Sequence, residues 1–328
     1  MKINRFIKYT SFIIGALATF VHCKKTSIQH NQTVLQTPVE TSIHKSAWLN
    51  KNTGFFCGGE KSESGYIYKT IDAGQSWTKV HTETQNSLYD IYFVNDSIGY
   101  CCGEDMLILR TNNSGITWFS TGNKINSDGS YYGTLRGIYG NEKILLFAGG
   151  TNFNIGIINW IRDGLVQTSW SGFKGLTNEM RCGMVLGQNK FYSFGYGAAC
   201  KTMDSKNFES TLINGDFFIA CSHVNANTGF VCSYNGAVYK IDSSGNFKNL
   251  FQHNRFFKKH INFNGIAFVS ESMGWVIGNN GVAYETYDGK NFRSINLQIE
   301  ENLMSAVLNK NNELVISTSK GKLIKMSI

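Results

Sequence analysis

The chain of 328 residues contains a single proline, Pro38, which excludes a proline-rich linker between two domains. Its formal net charge of +8 falls by three to +5 when Lys2, Arg5 and Lys8 of a removable leader are left out, and this is too weak to indicate a nucleic-acid partner. Hydrophobic residues (42%) suffice for a buried core, and 34 glycines favour many short strands joined by tight turns.

The first 22 residues are predicted to be a signal peptide of the lipoprotein type. A basic segment, MKINRFIKYT, precedes the apolar run SFIIGALATFV, which is too short to span a bilayer. Cys23 follows, and its position resembles the lipidated cysteine of bacterial lipoprotein signals, although Phe20 and His22 depart from that pattern. Cleavage after residues 16–18 is the alternative. We expect export to the cell envelope, either lipid-anchored or periplasmic or secreted, with membrane contact only through the lipid anchor.

Residues 44–328 are predicted to form one domain because a pattern repeats along them. The stretch YKTIDAGQSWTKV, residues 68–80, is followed by RTNNSGITW, residues 110–118, and by five weaker copies. The period of about 42 residues is that of four-stranded propeller blades. We therefore predict an all-β fold, a seven-bladed β-propeller of four-stranded antiparallel blades.

The repeated stretch predicts a turn between the third and fourth strands of each blade. An Asp carboxylate is expected to accept a hydrogen bond from a backbone N–H two residues on, and Gly to supply a positive φ. The aromatic residue is expected to bury its ring against the blade. Copies that lose the Asp or Gly mostly keep the aromatic, as Phe208 and Phe247 do, so the pattern favours a structural role over a catalytic one. The residues concerned are Thr70, Asp72, Gly74, Ser76 and Trp77 in the first copy, and Thr111, Asn113, Gly115, Thr117 and Trp118 in the second.

These two copies resemble the Asp-box, or bacterial neuraminidase repeat. Together with the Gly-rich second strands (GFFCGG, GWVIGNNG), they most resemble the photosystem II assembly-factor-like and sortilin-like propellers. The resemblance implies a β-propeller with Asp-boxes on one face and any ligand site on the other. It implies no particular role, because one fold hosts many functions.

The function predicted is that of a non-catalytic binding or assembly scaffold with a protein or glycan partner. The alternative is a carbohydrate-active enzyme, because some Asp-box propellers are sialidases. The chain has no Arg-Ile-Pro motif of the kind that sialidases carry. Its cysteines form no CxxC pair and its histidines no HExxH motif, so the sequence predicts no metal site, no cofactor and no catalytic residues.

The face opposite the Asp turns is predicted to carry the binding site, because the long irregular segments lie there. These segments are residues 120–137, 171–181 and 251–264. Binding on a repetitive scaffold usually occurs where loops vary, although such loops can also simply cover a propeller's mouth. Aromatic side chains would give desolvated contact and basic ones would attract an anionic partner. The candidates are Tyr131, Tyr132, Arg136, Arg181, Arg255, Phe257 and Lys259.

Two further expectations concern ring closure and the cysteines. The last copy stops at Ile328 after its third strand, so residues 31–39, within the polar tether 23–43, are predicted to supply the missing outer strand. Cys57, Cys102 and Cys232 occupy one repeat position, and equivalent positions in neighbouring blades lie about 10 Å apart. We therefore expect that these three do not pair with one another.

Overall fold

The computed structural model describes residues 30–83, 85–121, 133–153, 155–162, 165–167, 178–204, 207–253 and 261–328. Within these ranges the regular structure is β-strand, apart from two three-residue 3₁₀ turns. No helix in the described ranges is long and apolar enough to cross a membrane.

The strands are numbered β1 to β26 along the chain. The first thirteen are β1 Gln32–Leu35, β2 Ile43–Trp48, β3 Gly54–Glu60, β4 Ser64–Thr70, β5 Thr78–Glu83, β6 Leu88–Phe93, β7 Gly99–Gly103, β8 Ile108–Thr111, β9 Phe119–Ser120, β10 Thr134–Gly140, β11 Ile144–Thr151, β12 Ile155–Arg162 and β13 Leu165–Gln167. The others are β14 Met180–Leu186, β15 Lys190–Thr202, β16 Glu209–Asn225, β17 Thr228–Ser233, β18 Ala237–Asp242, β19 Phe247–Gln252, β20 Phe263–Phe268, β21 Gly274–Gly278, β22 Ala283–Thr286, β23 Arg293–Ile295, β24 Leu303–Leu308, β25 Glu313–Thr318 and β26 Leu323–Ser327.

The strands form antiparallel sheets in which chain neighbours are usually sheet neighbours. In the described part of the chain, β2–β5, β6–β9, β10–β13 and β20–β23 each form a four-stranded sheet in sequence order. A fifth four-stranded sheet has the order β1-β26-β25-β24, and β14 to β19 form a six-stranded one. The prediction of four-stranded antiparallel units is therefore confirmed for five sheets.

The six-stranded sheet contains two long strands, each of which takes part in two sets of pairings. Residues 190–195 of β15 pair with β14, and residues 196–201 pair with β16. The first half of β16 pairs with β15, whereas its second half, from Phe218 onwards, pairs with β17. Gly197, with φ +63°, lies where β15 changes partner. Each long strand therefore has a break in pairing near its middle.

The N-terminal strand β1 lies at the edge of the last sheet. Gln32 is opposite Met326 and Leu35 is opposite Leu323 in an antiparallel register. The side chain of Gln32 also donates to the carbonyl of Leu297 at 2.8 Å. The strand pairing that we predicted for residues 31–39 is therefore present.

A β-bulge recurs in the first strand of every unit of the repeat. In β2, β6, β10, β14, β16, β20 and β24, one residue near the start of the pairing is skipped in the register with the following strand, and β16 has a second skip at Val224. In β2, for example, Ile43 lies opposite Gly58 and Lys45 lies opposite Cys57, so His44 has no partner. A bulge re-aims the side chain of the extra residue. The seven skipped residues therefore share one structural position.

The hydrophobic core lies between neighbouring sheets. Alternate side chains of each strand point to opposite faces, so each sheet contributes to two clusters. One cluster contains Phe55 and Cys57 from β3 together with Ile91 and Cys101 from the next sheet. Trp118, after the second turn, closes this cluster with its ring centroid 6.5 Å from that of Phe55.

The turns between third and fourth strands are held by their own polar side chains. Asp72 accepts a hydrogen bond from Thr70 Oγ1 at 2.7 Å and from Ser76 N at 2.9 Å, and Thr70 Oγ1 accepts one from Gly74 N at 2.9 Å. Our expectation of a donor two residues on is therefore wrong for this turn, because the accepted N–H lies four residues on. The reason is that Ala73 and Gly74 both have positive φ, which folds the chain back over the carboxylate.

The second turn repeats the geometry of the first with an amide in place of the carboxylate. Oδ1 of Asn113 accepts from Thr117 N at 3.0 Å, and its amide donates to Thr117 Oγ1 at 2.8 Å. Gly115 N donates to Thr111 Oγ1 at 3.0 Å. An amide serves here as well as an acid, so ionisation is not required for closing the turn.

Candidate functional site

The skipped residues of the seven bulges together line one cavity of about 1160 Å³. Six of them lie near the start of their strand, and Ile219 lies at the start of the part of β16 that pairs with β17; all seven are beside the connection between second and third strands. The Asp turns join third to fourth strands at the other end of the sheets, so the cavity belongs to the opposite face. The seven residues are His44, Tyr89, Arg136, Arg181, Ile219, Asn264 and Met304.

Two arginines of this ring share one buried carboxylate. Nε of Arg136 donates to Oε1 of Glu179 at 2.8 Å, and Nε of Arg181 lies 3.0 Å from the same oxygen. Glu179 is 3% exposed, whereas each arginine side chain is 20% exposed. Burial lowers the pKa of Arg181 to about 10, with the neighbouring charge of Arg136 as the next cause. The Arg181 guanidinium therefore stays protonated at neutral pH, and two guanidinium groups share one carboxylate.

On one side of Arg136, two neighbouring rings continue along the cavity lining. The guanidinium carbon of Arg136 lies 4.7 Å from the centroid of the Tyr89 ring, which lies 4.7 Å from that of His44. Burial lowers the pKa of His44 to about 4, so its ring is neutral at pH 7. His44 therefore adds no positive charge to the cavity at that pH.

On the side of Arg181, four aromatic rings form what we call the aromatic wall: Phe153, Tyr196, Phe217 and Tyr234. Phe217 is at its centre, with ring centroids 6.1, 5.0 and 6.0 Å from those of Phe153, Tyr196 and Tyr234, respectively. The three outer rings are 52%, 46% and 44% exposed. The guanidinium carbon of Arg181 lies 5.1 Å from the centroid of Phe217, which places a positive charge beside the wall.

The carboxylates of the cavity lining are occupied by hydrogen bonds from the protein itself. Asp90 accepts from the backbone N–H groups of Ile91 and Ile138 at 2.9 and 2.8 Å, and burial raises its pKa. Asp216 accepts from its neighbour Phe217 N at 2.9 Å and from the hydroxyl of Tyr239 at 2.5 Å. These acids fix strands in place and do not point free oxygens at a ligand.

Of the seven binding residues suggested by the sequence, the structure places Arg136 and Arg181 together. Their guanidinium groups converge on Glu179 within the cavity. The other predicted residues lie outside the described ranges: Tyr131, Tyr132, Arg255, Phe257, Lys259 and the expected lipidation site Cys23. The described ranges contain no group of three His, Cys, Asp or Glu side chains that could hold a metal ion.

The aromatic wall was not predicted from the sequence. Phe153 and Tyr234 lie in connections between second and third strands, Tyr196 lies beside the glycine where β15 changes partner, and Phe217 precedes the bulge of β16. An aromatic residue at that connection in three successive repeats was the available signal. It was hidden because the repeats align poorly in this part of the chain.

Comparison with solved structures identifies the fold. The structure of Ycf48 bound to D1 peptide has a TM-score of 0.68 and 16% identity, and covers 92% of this chain and 99% of that one. The WD40 propeller domain of Doa1 has a TM-score of 0.68 and 12% identity, and the match covers 92% of this chain and 97% of that one. The chain has the fold of a β-propeller. Virginiamycin B lyase from Staphylococcus aureus is a further similar structure, with a TM-score of 0.67 and 11% identity, and the match covers 92% of this chain and 100% of that one. Similar folds therefore include an enzyme.

Two curated proteins match short stretches of this propeller. The photosystem II assembly lipoprotein Ycf48 of Prochlorococcus marinus (strain NATL2A) is 36% identical over 62 residues, which is 19% of this chain and 18% of that protein. The chloroplastic photosystem II stability/assembly factor HCF136 of Guillardia theta is 37% identical over 71 residues, which is 21% of this chain and 17% of that protein. Each match spans less than a fifth of the relative's length. No family model matches the chain.

Proposed function

We propose that this protein is a non-catalytic, exported binding propeller of seven blades that serves the assembly of a protein partner. The seven equivalent bulges support the blade count, with β15 and β16 each contributing strands to more than one pairing set. In this arrangement β1 completes the last blade. The turns around Asp72 and Asn113 are Asp-boxes with a structural role, as their internal hydrogen bonds support.

The observation that carries the proposed binding function is the pair of arginines that shares Glu179. Two guanidinium groups share one carboxylate, which places a pair of cationic side chains next to the aromatic wall. Arginine forks bind carboxylates in a bidentate manner, and exposed aromatic rings supply desolvated contact. The partner is therefore a protein segment that combines an acidic group with an aromatic or aliphatic side chain. The similar fold of Ycf48, solved with a D1 peptide, supports a peptide ligand over a glycan.

The carbohydrate-active alternative is less well supported by the same cavity. A glycosidase needs two carboxyl groups free to act as acid and as base or nucleophile. Asp90 and Asp216 are held by backbone and hydroxyl donors, and Glu179 is paired with both arginines.

Lipid anchoring through Cys23 and export by residues 1–22 are parts of the same proposal. The name of the Prochlorococcus relative describes a lipoprotein, which supports an anchored protein. Labelling cells that express the chain with a radioactive fatty acid tests the anchor. Wild type is expected to take up label and Cys23→Ser is not, whereas equal labelling of the two would contradict lipidation at this residue.

Capture of partners from the native host's envelope tests the binding function. The bait variant combines Arg136→Gln, Arg181→Gln and Glu179→Gln, which removes both positive charges without leaving a buried carboxylate unpaired. A matched control, Lys51→Gln with Lys290→Gln, removes two exposed charges from the face of the Asp turns. A protein retained by wild type and by the control, but lost with the triple variant, is the expected result. A protein lost only with the control would place the site on the wrong face.

A further inference from the structure

Two cysteines of the cavity lining lie against each other. Cys182 lies on β14 and Cys221 on the second half of β16, and both are partly exposed. Both side chains pack against the same hydrophobic cluster, and the Cys221 thiol is close enough to help raise the pKa of Cys182. Sγ of Cys221 also lies 3.0 Å from the carbonyl oxygen of Gly183, the residue after Cys182.

The alternation of side chains along a strand explains why these two residues meet. The register places Cys182 and Ala220 in the same repeat position, each just after a bulge, so their side chains point in the same direction. Cys221 is one residue further on and points to the other face of its strand. It therefore faces back towards Cys182 across the gap between neighbouring units.

A second pair with the same one-residue offset provides an internal comparison. Cys57 and Cys101 also lie in one hydrophobic cluster, where both are 0% exposed, and the Cys57 thiol helps to raise the pKa of Cys101. Cys102, which is equivalent to Cys57, points the other way, into the next cluster. The two pairs thus share their geometry and differ in access from the cavity.

We propose that Cys182 and Cys221 form a reversible dithiol–disulfide site that opens on the cavity, whereas Cys57 and Cys101 stay reduced in the folded protein. The oxidant is a low-molecular-mass disulfide. The thiolate of one cysteine attacks a sulfur of this disulfide, forming a mixed disulfide and releasing one thiol. The second cysteine then displaces the other half as a second thiol. The protein loses two electrons and two protons, and the oxidant gains both.

The position of this pair connects it to both halves of the candidate site. Cys182 directly follows Arg181, and Cys221 lies on the same strand as Phe217 of the aromatic wall. A bond between the two sulfurs would fix the strand of the arginine to the strand of the wall. The proposal does not depend on the binding function, because the chemistry requires only contact and access.

Oxidation of the folded wild-type chain by oxidised glutathione tests the proposal. Free thiols are then alkylated under denaturing conditions, the chain is digested without reduction, and cross-linked peptides are identified by mass spectrometry. We expect a peptide joined through Cys182 and Cys221, two hydrogens lighter than its reduced parts, with Cys57 and Cys101 alkylated. Burial raises the pKa of the Cys182 thiol, so the rate is expected to rise at least several-fold from pH 7 to pH 9.

A Cys221→Ser variant separates the dithiol from a single reactive cysteine. Oxidation of this variant is expected to stop at the glutathione adduct of Cys182. In the wild type, reduction of the oxidised product by dithiothreitol is expected to restore both thiols. The proposal is overturned if folded wild type yields only glutathione adducts or stays reduced at both positions. It is equally overturned if Cys57 and Cys101 become linked as fast as the cavity pair.

Discussion

The Nε atom of Arg136 donates a hydrogen bond of 2.8 Å to a carboxylate oxygen of Glu179, a residue that is 3% exposed. Arg181 approaches the same oxygen, so Glu179 is the only counter-charge that the described structure provides between the two arginines. Their positions depend on it. This relationship makes the cavity charge part of the fold as well as part of the proposed site.

Replacing Glu179 by Gln is therefore expected to destabilise the protein. Two guanidinium groups would then lie together without a carboxylate, and the free energy of unfolding should fall by about 2–3 kcal/mol, measured in urea. Glu209→Gln is the matched control, because Glu209 pairs with Lys201 at 2.8 Å with its side chain 79% exposed. Exposed pairs contribute less than about 1 kcal/mol. Equal losses in the two variants would contradict the importance of the buried carboxylate.

The glycine of the second turn gives a prediction about packing. Gly115 has φ +69°, and a Cβ there would lie 2.3 Å from the Phe55 ring. Gly115→Ala should cost about 3 kcal/mol or more, from backbone strain and overpacking together. Gly187 has a similar φ of +61° but its nearest atom would be 3.7 Å away, so Gly187→Ala should cost only about 1 kcal/mol. Urea unfolding of both variants separates backbone strain from overpacking. Similar losses in the free energy of unfolding would show that the Phe55 ring moves aside without cost.

The N-terminal strand gives a prediction about ring closure. A chain beginning at residue 44 loses the backbone pairing of β1 with β26 and exposes the edge of the last sheet. It also loses Leu35, whose side chain lies against Gly74 of the first turn. We expect a loss of about 3 kcal/mol or more and a lower melting temperature than that of a chain beginning at residue 30. Identical melting of the two chains would show that β1 does not close the ring.

Buried His44 makes stability depend on pH. Burial lowers its pKa from 6.5 to about 4, so the unfolded chain binds a proton near pH 6.5 that the folded chain binds only near pH 4. Stability is therefore complete above pH 6.5 and falls as the pH decreases towards 4, by about 3 kcal/mol from this group. Urea midpoints from pH 7.5 to 4.5 should fall less steeply in His44→Gln than in wild type. If the urea midpoints of the two proteins fell equally with decreasing pH, His44 would not be the group responsible.

The sequence predicted those features that the repeat itself carries. The turn around Asp72 and the antiparallel units follow from the local pattern of strand and turn residues. The pairing of residues 31–39 with the last strand follows from the need to cover an exposed sheet edge. The positions of Arg136 and Arg181 could also be predicted, because both lie at the start of first strands. The contacts that each arginine makes could not be predicted from the sequence.

The remaining features depend on contacts between distant residues. Glu179 lies 43 residues from Arg136, and nothing in either segment marks the pairing. On the sequence alone, the arginines were candidate binding residues in irregular segments, whereas the buried ion pair predicts that their replacement lowers the melting temperature. The bulges have no residue signature either, since Ile219 and Met304 occupy the same position as the arginines. Their common cause is backbone geometry.

The aromatic wall predicts how the cavity recognises a small probe. The dye 8-anilinonaphthalene-1-sulfonate carries an anionic group and flat rings, so it matches Arg181 beside Phe217. Removing the 46% exposed ring in Tyr196→Ala should raise the dissociation constant about fivefold or more in a fluorescence titration, since an aromatic contact contributes about 1 kcal/mol. Tyr287 is equally exposed, at 46%, but lies beside an Asp turn on the other face, so Tyr287→Ala should leave the constant unchanged. If both variants bound the dye as wild type does, or if only Tyr287→Ala weakened it, the wall would not be the dye's site and the proposed recognition surface would be wrong.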